Sequence, residues 1–267
     1  MRQSSKGLRL LLAFLASSLL WAVPLRASEQ EVDVALVIAV DISYSMDLEE
    51  QRLQRQGYIE ALNSAEVQRA IRMGMVGRIA ITYFEWANAL DQRMVVPWTI
   101  IDGPETTRAV TDQIAATPIR RAQRTSISGA LNFGHKLLQA APYRALRKVI
   151  DVSGDGPNNA GEGVEAARDR VLADGITING LPVMIKRQSY GWGDIDNLDA
   201  YYQDCVIGGN GAFVIPITEM EHFLTATKQK IIREVADLGA SDVQRVQSEA
   251  RSDCFIGEKR VRDRWGN

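Results

Sequence analysis

The fold is decided by Val34–Ser45, which reads VALVIAVDISYS. Seven apolar residues run without interruption to Val40, and Asp41, Ser43 and Ser45 follow them. A continuous apolar run rich in branched side chains is typical of a parallel strand that is buried on both faces. Ligands of open α/β sheets bind beyond the carboxyl ends of such strands. We therefore expect these polar side chains to lie at the ligand-binding edge of a sheet.

The oxygen atoms of this segment suit a hard divalent cation. One carboxylate and two hydroxyls are the donors that Mg²⁺, Mn²⁺ or Ca²⁺ takes, and the hydroxyls add no charge. The pattern Asp-x-Ser-x-Ser therefore predicts a metal site rather than a nucleophile. The alternative is structural, because Ser43 and Ser45 could cap the helix that begins near Asp47.

Strands alternate with amphipathic helices along most of the chain. This order predicts an α/β fold with a doubly wound, mostly parallel sheet and helices on both faces. The predicted strands are Val32–Val40, Arg78–Trp86, an edge strand Met94–Ile100 with Pro97, Lys148–Val152, Ile176–Ile185 and Ala212–Ile217. The predicted helices are Asp47–Ile71 with a break near Asn63, Pro104–Ala116, Ile127–Ala140, Glu162–Ala173, Asp196–Asp204 and Glu219–Leu238.

Two later segments extend the predicted metal site. Thr125 lies in the loop before a predicted helix, and Asp155 follows the strand that begins at Lys148. If the first and fourth strands are neighbours, both loops meet the Asp41 loop at one crevice. Two alternatives remain at this point. Thr125 or Ser126 could be a helix N-cap, and Asp155 with the glycine after it is also a turn sequence.

In order and spacing these pieces resemble a von Willebrand factor type A domain. That family has a metal-ion-dependent adhesion site built from Asp-x-Ser-x-Ser, a loop threonine and a later Asp-Gly. The matching residues are Asp41, Ser43, Ser45, Thr125 and Asp155. The similarity is greatest to an uncharacterised group of secreted bacterial proteins, which suggests no reaction. The resemblance implies a Mg²⁺, Mn²⁺ or Ca²⁺ ion that captures an acidic group of a protein partner.

One residue departs from the family pattern. Asp151 interrupts the strand before Asp155, where family members have a stretch of hydrophobic and hydroxyl residues. An acid inside a central strand is costly unless it is paired. We keep Asp155 as the expected ligand, with Asp151 as its alternative or as a group that supports the site from behind.

The first 27 residues have the layout of a secretory signal. They contain four basic residues and no acid, an apolar stretch from Leu10 to Val23, and Ala27 where we expect cleavage. The stretch is shorter than the roughly 20 residues that a spanning helix needs. The alternative is an uncleaved segment, which would anchor the protein to a membrane. We expect one domain over residues 28–238 and a polar, loosely ordered tail over residues 239–267.

Charge and cysteine content exclude several classes of function. The whole chain has a formal charge of −2, and loss of the four basic signal residues makes it more negative. Nucleic acid is therefore not an expected partner. In an oxidising compartment Cys205 and Cys254 would form a disulfide, and the alternative is two free thiols. Two cysteines and two isolated histidines do not supply a thiolate or imidazole zinc site.

An enzyme is the competing interpretation. A divalent cation beside carboxylates can support ester or phosphoryl hydrolysis. Neither Ser43 nor Ser45 has a histidine or lysine nearby in sequence to activate it, so we expect no catalysis. A structural domain with an empty site is the third interpretation. Aromatic loops at Trp86–Asn88 and Tyr190–Asp194 are candidates for the rim that meets a partner, or for ordinary packing.

Overall fold

The fold is built on a five-stranded sheet. A computed structural model describes residues 29–185, 195–236 and 252–265. The strands are β1 (Gln30–Asp41), β2 (Ile79–Trp86), β3 (Gln92–Ile101), β4 (Tyr143–Gly154) and β5 (Thr177–Pro182). The helices are α1 (Leu48–Asn63), α2 (Ala65–Arg72), α3 (Pro104–Ala116), α4 (Ile127–Gln139), α5 (Val164–Ala173), α6 (Leu198–Tyr201), α7 (Phe223–Val235) and α8 (Ile256–Trp265).

The strand order places β1 at the centre of the sheet. The order is β3-β2-β1-β4-β5, and only the β2–β3 pair is antiparallel. Strand β1 pairs in parallel with β2 and with β4, so the condition on which the converging loops depend is met. The carboxyl ends of β1 and β4 are therefore neighbours, and the loops that follow them leave the sheet side by side. Strand β3 with Pro97 lies at the sheet edge, where a residue without an amide hydrogen is tolerated.

Both faces of β1 are covered by helices. Leu36 and Ile38 belong to the apolar core between the sheet and helices α1, α3 and α7. Val37 and Ala39 belong to the core on the opposite face, which includes α4 and α5. Residues 32–41 of β1 are all buried, so the unbroken apolar run has the structure it predicts.

Local sequence fixes where the helices begin. The Asp47 carboxylate caps α1 by accepting hydrogen bonds from the amides of Glu49 and Glu50, at 2.8 and 2.9 Å. The Glu50 carboxylate in turn accepts from the Asp47 amide, which completes a capping box. Ser64 ends α1 and caps α2, at the predicted break. Pro104 occupies the first turn of α3, where its missing amide hydrogen costs no hydrogen bond.

Several predicted elements differ from the structure, and three of them differ in kind and not only in their ends. The strand predicted at Ala212–Ile217 makes only isolated bridges, between Val214 and Gly180 and between Ile217 and Val183. Helix α6 is continued by a π-helical turn over Tyr202–Val206 instead of ending at residue 204. The tail was expected to be loosely ordered, yet α8 is a helix and packs back on the domain.

The expected disulfide is present, and it joins Cys205 to Cys254. The predicted signal segment lies outside the described residues. Within the described ranges, none of the helices is both long enough and apolar enough to cross a bilayer.

Candidate metal site

Asp41 is the innermost of the predicted site residues. It is the last residue of β1 and has no exposed surface. Its Oδ1 atom accepts a 2.7 Å hydrogen bond from the amide of Ser43, which folds the chain into a tight turn just after the strand. The carboxylate is thus held by local backbone geometry and points into the region above the sheet edge.

The two serines link the β1 loop to the β4 loop. The hydroxyls of Ser43 and Ser45 lie 2.7 Å apart. The Ser45 hydroxyl also donates a 2.6 Å hydrogen bond to Oδ1 of Asp155, just after β4. The structure therefore brings Asp155 and the Asp-x-Ser-x-Ser segment together, as the adjacency of β1 and β4 predicts.

The Thr125 segment reaches the same region through its backbone. The Thr125 amide donates to Oδ1 of Asn159 at 2.9 Å, and the Asn159 amide donates to the Thr125 carbonyl at 2.8 Å. Upstream, the Ala122 amide donates to the carbonyl of Ile42 at 3.0 Å. Hydrogen bonds thus join the loops that carry Asp41, Thr125 and Asp155 to one another. Within the described residues the Thr125 hydroxyl itself makes no hydrogen bond to the other four predicted ligands, although its side chain is almost fully buried.

The capping alternatives are settled by the observed caps. Asp47 caps α1, so neither Ser43 nor Ser45 is needed there. Ser126 caps α4 by accepting from the amide of Gly129 at 3.1 Å, so Thr125 is not the cap either. The hydroxyls of Ser43 and Ser45 bond each other and Asp155 instead of a helix end.

The environment of Asp41 is unfavourable for an isolated carboxylate. Its Oδ2 atom is buried and has no hydrogen-bond partner. Burial raises the pKa of Asp41 to about 7, although Ser43 and, to a smaller extent, the nearby backbone amide of Asp155 act to lower the pKa. A buried acceptor without a donor costs on the order of 1–3 kcal/mol. A cation at this position would offset that cost.

Tyr202 is a second buried group at the same point, and the sequence interpretation did not find it. Its hydroxyl is buried without a hydrogen-bond partner. A Cβ atom added to Gly154 would lie 2.8 Å from Oδ2 of Asp41 and 3.0 Å from this hydroxyl. The absence of a side chain at Gly154 thus leaves room where both oxygen atoms point. Short π-helical turns such as Tyr202–Val206 occur often at functional sites, but sequence gives no sign of them.

The donors present fit a hard divalent cation. They are two carboxylates and the hydroxyls of the serines, with a buried oxygen of Asp41 that lacks a donor. Among the described residues, no three His, Cys, Asp or Glu side chains cluster so as to hold a metal. An ion here would therefore depend on hydroxyl oxygens, which favours Mg²⁺ or Mn²⁺ over a softer metal.

Asp151 has a different partner from the one suggested by its position. Its carboxylate contacts the ammonium group of Lys230 on α7 and accepts a 3.1 Å hydrogen bond from the Tyr58 hydroxyl. Lys230 also contacts Glu234, and all three charged side chains are buried. Asp151 is thus paired in the core below the sheet edge. The prediction that it could replace Asp155 as a metal ligand is wrong.

Of the two interpretations of the aromatic loops, ordinary packing holds for Trp86. Trp86 is fully buried in the core on the α4 face, so it does not form the rim. The Tyr190–Asp194 loop lies outside the described residues. In their place, Tyr44 is exposed between the two serines, and Arg121 stacks over its ring with 5.2 Å between guanidinium carbon and centroid. Arg124 is also exposed and adopts a positive φ of 74°.

Comparison with solved structures identifies the fold. Mussel byssus proximal thread matrix protein 1, in a structure with a zinc-occupied MIDAS motif, is 16% identical with a TM-score of 0.53 over 76% of this chain and 48% of that one. The pilus adhesin SpaC of Lactobacillus rhamnosus GG is 10% identical with a TM-score of 0.56, over 78% and 31%. The von Willebrand factor type A protein of Catenulispora acidiphila is 13% identical with a TM-score of 0.53, over 76% and 43%.

At these identities the likeness establishes a shared von Willebrand factor type A fold. The chain spans half or less of the length of each of these proteins. A search of curated proteins found no match to the sequence. Residues 31–239 match the family model described as protein of unknown function, DUF1194. The chain therefore belongs to the DUF1194 family, and its domain has the von Willebrand factor type A fold.

Proposed function

We propose that this protein is an exported module that binds a divalent cation and uses it to capture an acidic group of a protein partner. Asp41, Ser43, Ser45, Thr125 and Asp155 would hold the ion, with Mg²⁺ or Mn²⁺ as the first candidates. The bound ion would supply an electrophilic position that a carboxylate oxygen of the partner can occupy. The protein's own loops would decide which partner fits.

One observation carries the metal proposal. Oδ2 of Asp41 is buried without a donor, while Ser43, Ser45 and Asp155 are gathered beside it by hydrogen bonds of 2.6–2.7 Å. Buried polar atoms in native proteins nearly always have a partner. A cation accounts for the missing partner, and it also accounts for two acids so close together. The zinc-occupied MIDAS motif of the mussel protein supports this interpretation by analogy.

The charge around the site supports an acidic partner. Arg121 donates to the Tyr44 carbonyl at 2.5 Å, which places a guanidinium group against the loop of the two serines. Arg124, next to Thr125, has no ion-pair partner among the described residues and is exposed. A non-glycine residue at positive φ is uncommon, and strained backbone of this kind clusters at active sites and ligand clamps. These arginines would attract an anionic segment on a chain that is itself negative overall.

Two features support export. The N-terminal sequence has the layout of a secretory signal, and the Cys205–Cys254 disulfide is of the kind that persists in oxidising compartments. We propose the periplasm or the cell exterior as the location. The pilus adhesin among the similar structures is consistent with a surface role.

We propose a binding role without catalysis. Nε2 of His135 is hydrogen-bonded to the carboxylate of Asp174 at 2.6 Å, and Nδ1 of His222 lies 3.6 Å from the carboxylate of Glu219. The chain has no other histidine. A serine nucleophile needs a base within hydrogen-bond reach, and neither imidazole is paired with Ser43 or Ser45.

Titration calorimetry with MgCl₂ and MnCl₂ tests the metal proposal. Wild-type protein should bind one ion, Asp41→Asn should bind none, and Asp112→Asn on the exposed face of α3 should bind as wild type does. To test the capture of a partner, wild-type protein is immobilised, and the partners that it retains are compared with and without a chelator. Partners retained equally by the Asp41→Asn protein, or in the presence of the chelator, would contradict the proposal.

A further inference from the structure

The C-terminal segment of the chain folds back next to the candidate metal site. The clamp, as we call residues 252–265, lies beyond the range 31–239 that the family model matches. A disulfide between Cys254 and Cys205 ties it to the π-helical turn that begins at Tyr202. Cys205 is fully buried, so the tether is anchored inside the domain.

The clamp packs on the loop that carries Asp155. Oε1 of Glu258 accepts a 2.7 Å hydrogen bond from the side-chain amide of Asn158. Gly257 lies against the same residue, because an added Cβ would stand 2.0 Å from the Asn158 carbonyl oxygen. The ring of Phe255 covers Gly163 at the far end of the loop. The clamp therefore contacts the loop over residues 155–163 both near its middle, at Asn158, and at its end, at Gly163.

Asn158 connects the clamp to the other site loops. It is fully buried, and its Oδ1 accepts from the Ser128 amide of α4 at 2.9 Å. The backbone amide of Asn158 donates to the Tyr201 hydroxyl at 3.1 Å. The next residue, Asn159, accepts a hydrogen bond from the Thr125 amide and donates one to the Thr125 carbonyl. One side chain thus joins the clamp, the start of α4 and the loop of Asp155.

We propose that the clamp is a positioning element for the candidate metal site, acting through Asn158. This inference rests on the proposed function and names residues that act on the site without contacting the ion. The loop over residues 155–163 contains neither helix nor strand, and ordering such a loop costs conformational entropy. The clamp orders it beforehand, so cation binding does not have to. The disulfide keeps the clamp close at all times.

The test compares five variants of the full chain. Cys205→Ser with Cys254→Ser releases the tether. Gly257→Ala forces a side chain into the Asn158 backbone while the disulfide stays intact. Glu258→Ala removes one of the two acceptors of the Asn158 side-chain amide, the other being the Glu162 carbonyl at 3.0 Å, and Glu258→Gln keeps an acceptor in its place. Arg262→Ala, at an exposed position of α8, is the control.

Two readouts are measured. The first is amide hydrogen exchange of residues 155–163 without any metal. The second is Mg²⁺ affinity by calorimetry. The double serine variant, Gly257→Ala and Glu258→Ala should exchange about tenfold faster in this loop. They should bind Mg²⁺ about tenfold more weakly, with β1 and β4 still protected. Glu258→Gln and Arg262→Ala should match wild type in both measurements.

The readouts separate this inference from the proposed function. If wild-type protein bound no Mg²⁺, the proposed function would fail, and loop exchange would still test the clamp. Unchanged loop exchange in both Gly257→Ala and Glu258→Ala would overturn the inference. If Glu258→Gln lost as much loop protection and Mg²⁺ affinity as Glu258→Ala does, the inference would also be overturned. The hydrogen bond to Asn158 would then not be what connects the clamp to the site.

Discussion

Ser45 donates a 2.6 Å hydrogen bond to the carboxylate of Asp155, although 110 residues separate them in sequence. The contact exists because β1 and β4 are parallel neighbours, so the loops after them leave the same edge of the sheet. It joins the first and last pieces of the motif. Protein contacts thus hold the two parts of the acidic edge together, and a cation would complete it.

Replacing Ser45 by alanine should separate stability from metal binding. The variant loses the hydroxyl that bridges Ser43 and Asp155, at a cost of about 1 kcal/mol in the free energy of unfolding. It also loses one proposed ligand, so Mg²⁺ affinity should fall about tenfold or more. Chemical unfolding and calorimetry measure the two effects. A variant that kept wild-type Mg²⁺ affinity would remove Ser45 from the site.

Replacing Gly154 by alanine should displace the Asp41 carboxylate. The added Cβ would lie 2.8 Å from its Oδ2 atom, which is closer than carbon and oxygen approach without a bond. We expect loss of Mg²⁺ binding and a destabilisation of roughly 1–3 kcal/mol from overpacking. Gly103→Ala is the control, since an added Cβ there has no atom within 4 Å. Its Mg²⁺ affinity should equal that of wild type, and equal affinity in Gly154→Ala would be evidence against the site.

Replacing Tyr202 by phenylalanine removes a buried hydroxyl that has no partner. The metal-free protein should be as stable as wild type or slightly more stable, because an unsatisfied polar group disappears. If the hydroxyl faces the ion's surroundings, Mg²⁺ affinity should fall several-fold, as it does when outer groups are removed from metal sites. Thermal unfolding with and without Mg²⁺ measures both. An identical Mg²⁺-induced shift in the two proteins would show that Tyr202 takes no part.

The buried charges of Asp151, Lys230 and Glu234 predict a pH dependence of stability. Burial, and next the charge of Asp151, raise the pKa of Glu234 to about 7 from an ordinary value of 4.5. The folded state then holds this proton more tightly than the unfolded chain does. The contribution to stability is full below about pH 4.5 and is lost as the pH rises through about 7. Asp41, whose pKa is raised in the same direction, adds to the decline.

Glu234→Gln tests the origin of that decline. The amide keeps the shape of the side chain, and Lys230 remains paired with Asp151. We expect the loss of unfolding free energy between pH 5 and pH 8 to shrink by about 1–3 kcal/mol relative to wild type. Urea unfolding at both pH values measures it, with the exposed Glu221→Gln as control. A decline of wild-type size in Glu234→Gln would refute the assignment.

Much of the sheet, and the Asp41, Ser43 and Ser45 part of the proposed site, follow from local sequence. The apolar run of β1 predicts a buried parallel strand, and the order of elements predicts a mostly parallel sheet. The structure then shows that β1 and β4 are neighbours in that sheet. That adjacency alone brings Asp41 and Asp155 to one edge. The serines come with the strand, because they lie two and four residues after Asp41.

The remaining features depend on contacts between distant parts of the chain. Asp151 looks like an alternative ligand until Lys230, on a helix far along the chain, is found beside it. Sequence leaves Trp86 as either a rim residue or a packed one, and only its contacts with the core on the α4 face decide for packing. Helix α8 has too little apolar character to suggest a packed element, and the disulfide determines where it lies. Tertiary context decides each of these positions.

The most direct test of the central claim is anomalous diffraction from crystals grown with MnCl₂. We expect one manganese peak beside Oδ2 of Asp41, within bonding distance of the oxygen atoms of Ser43, Ser45 and Thr125 or of waters held by Asp155. Crystals of the Asp41→Asn protein should show no peak there. Ordered crystals of the wild-type protein that contain no manganese at this position, at millimolar MnCl₂, would contradict the account.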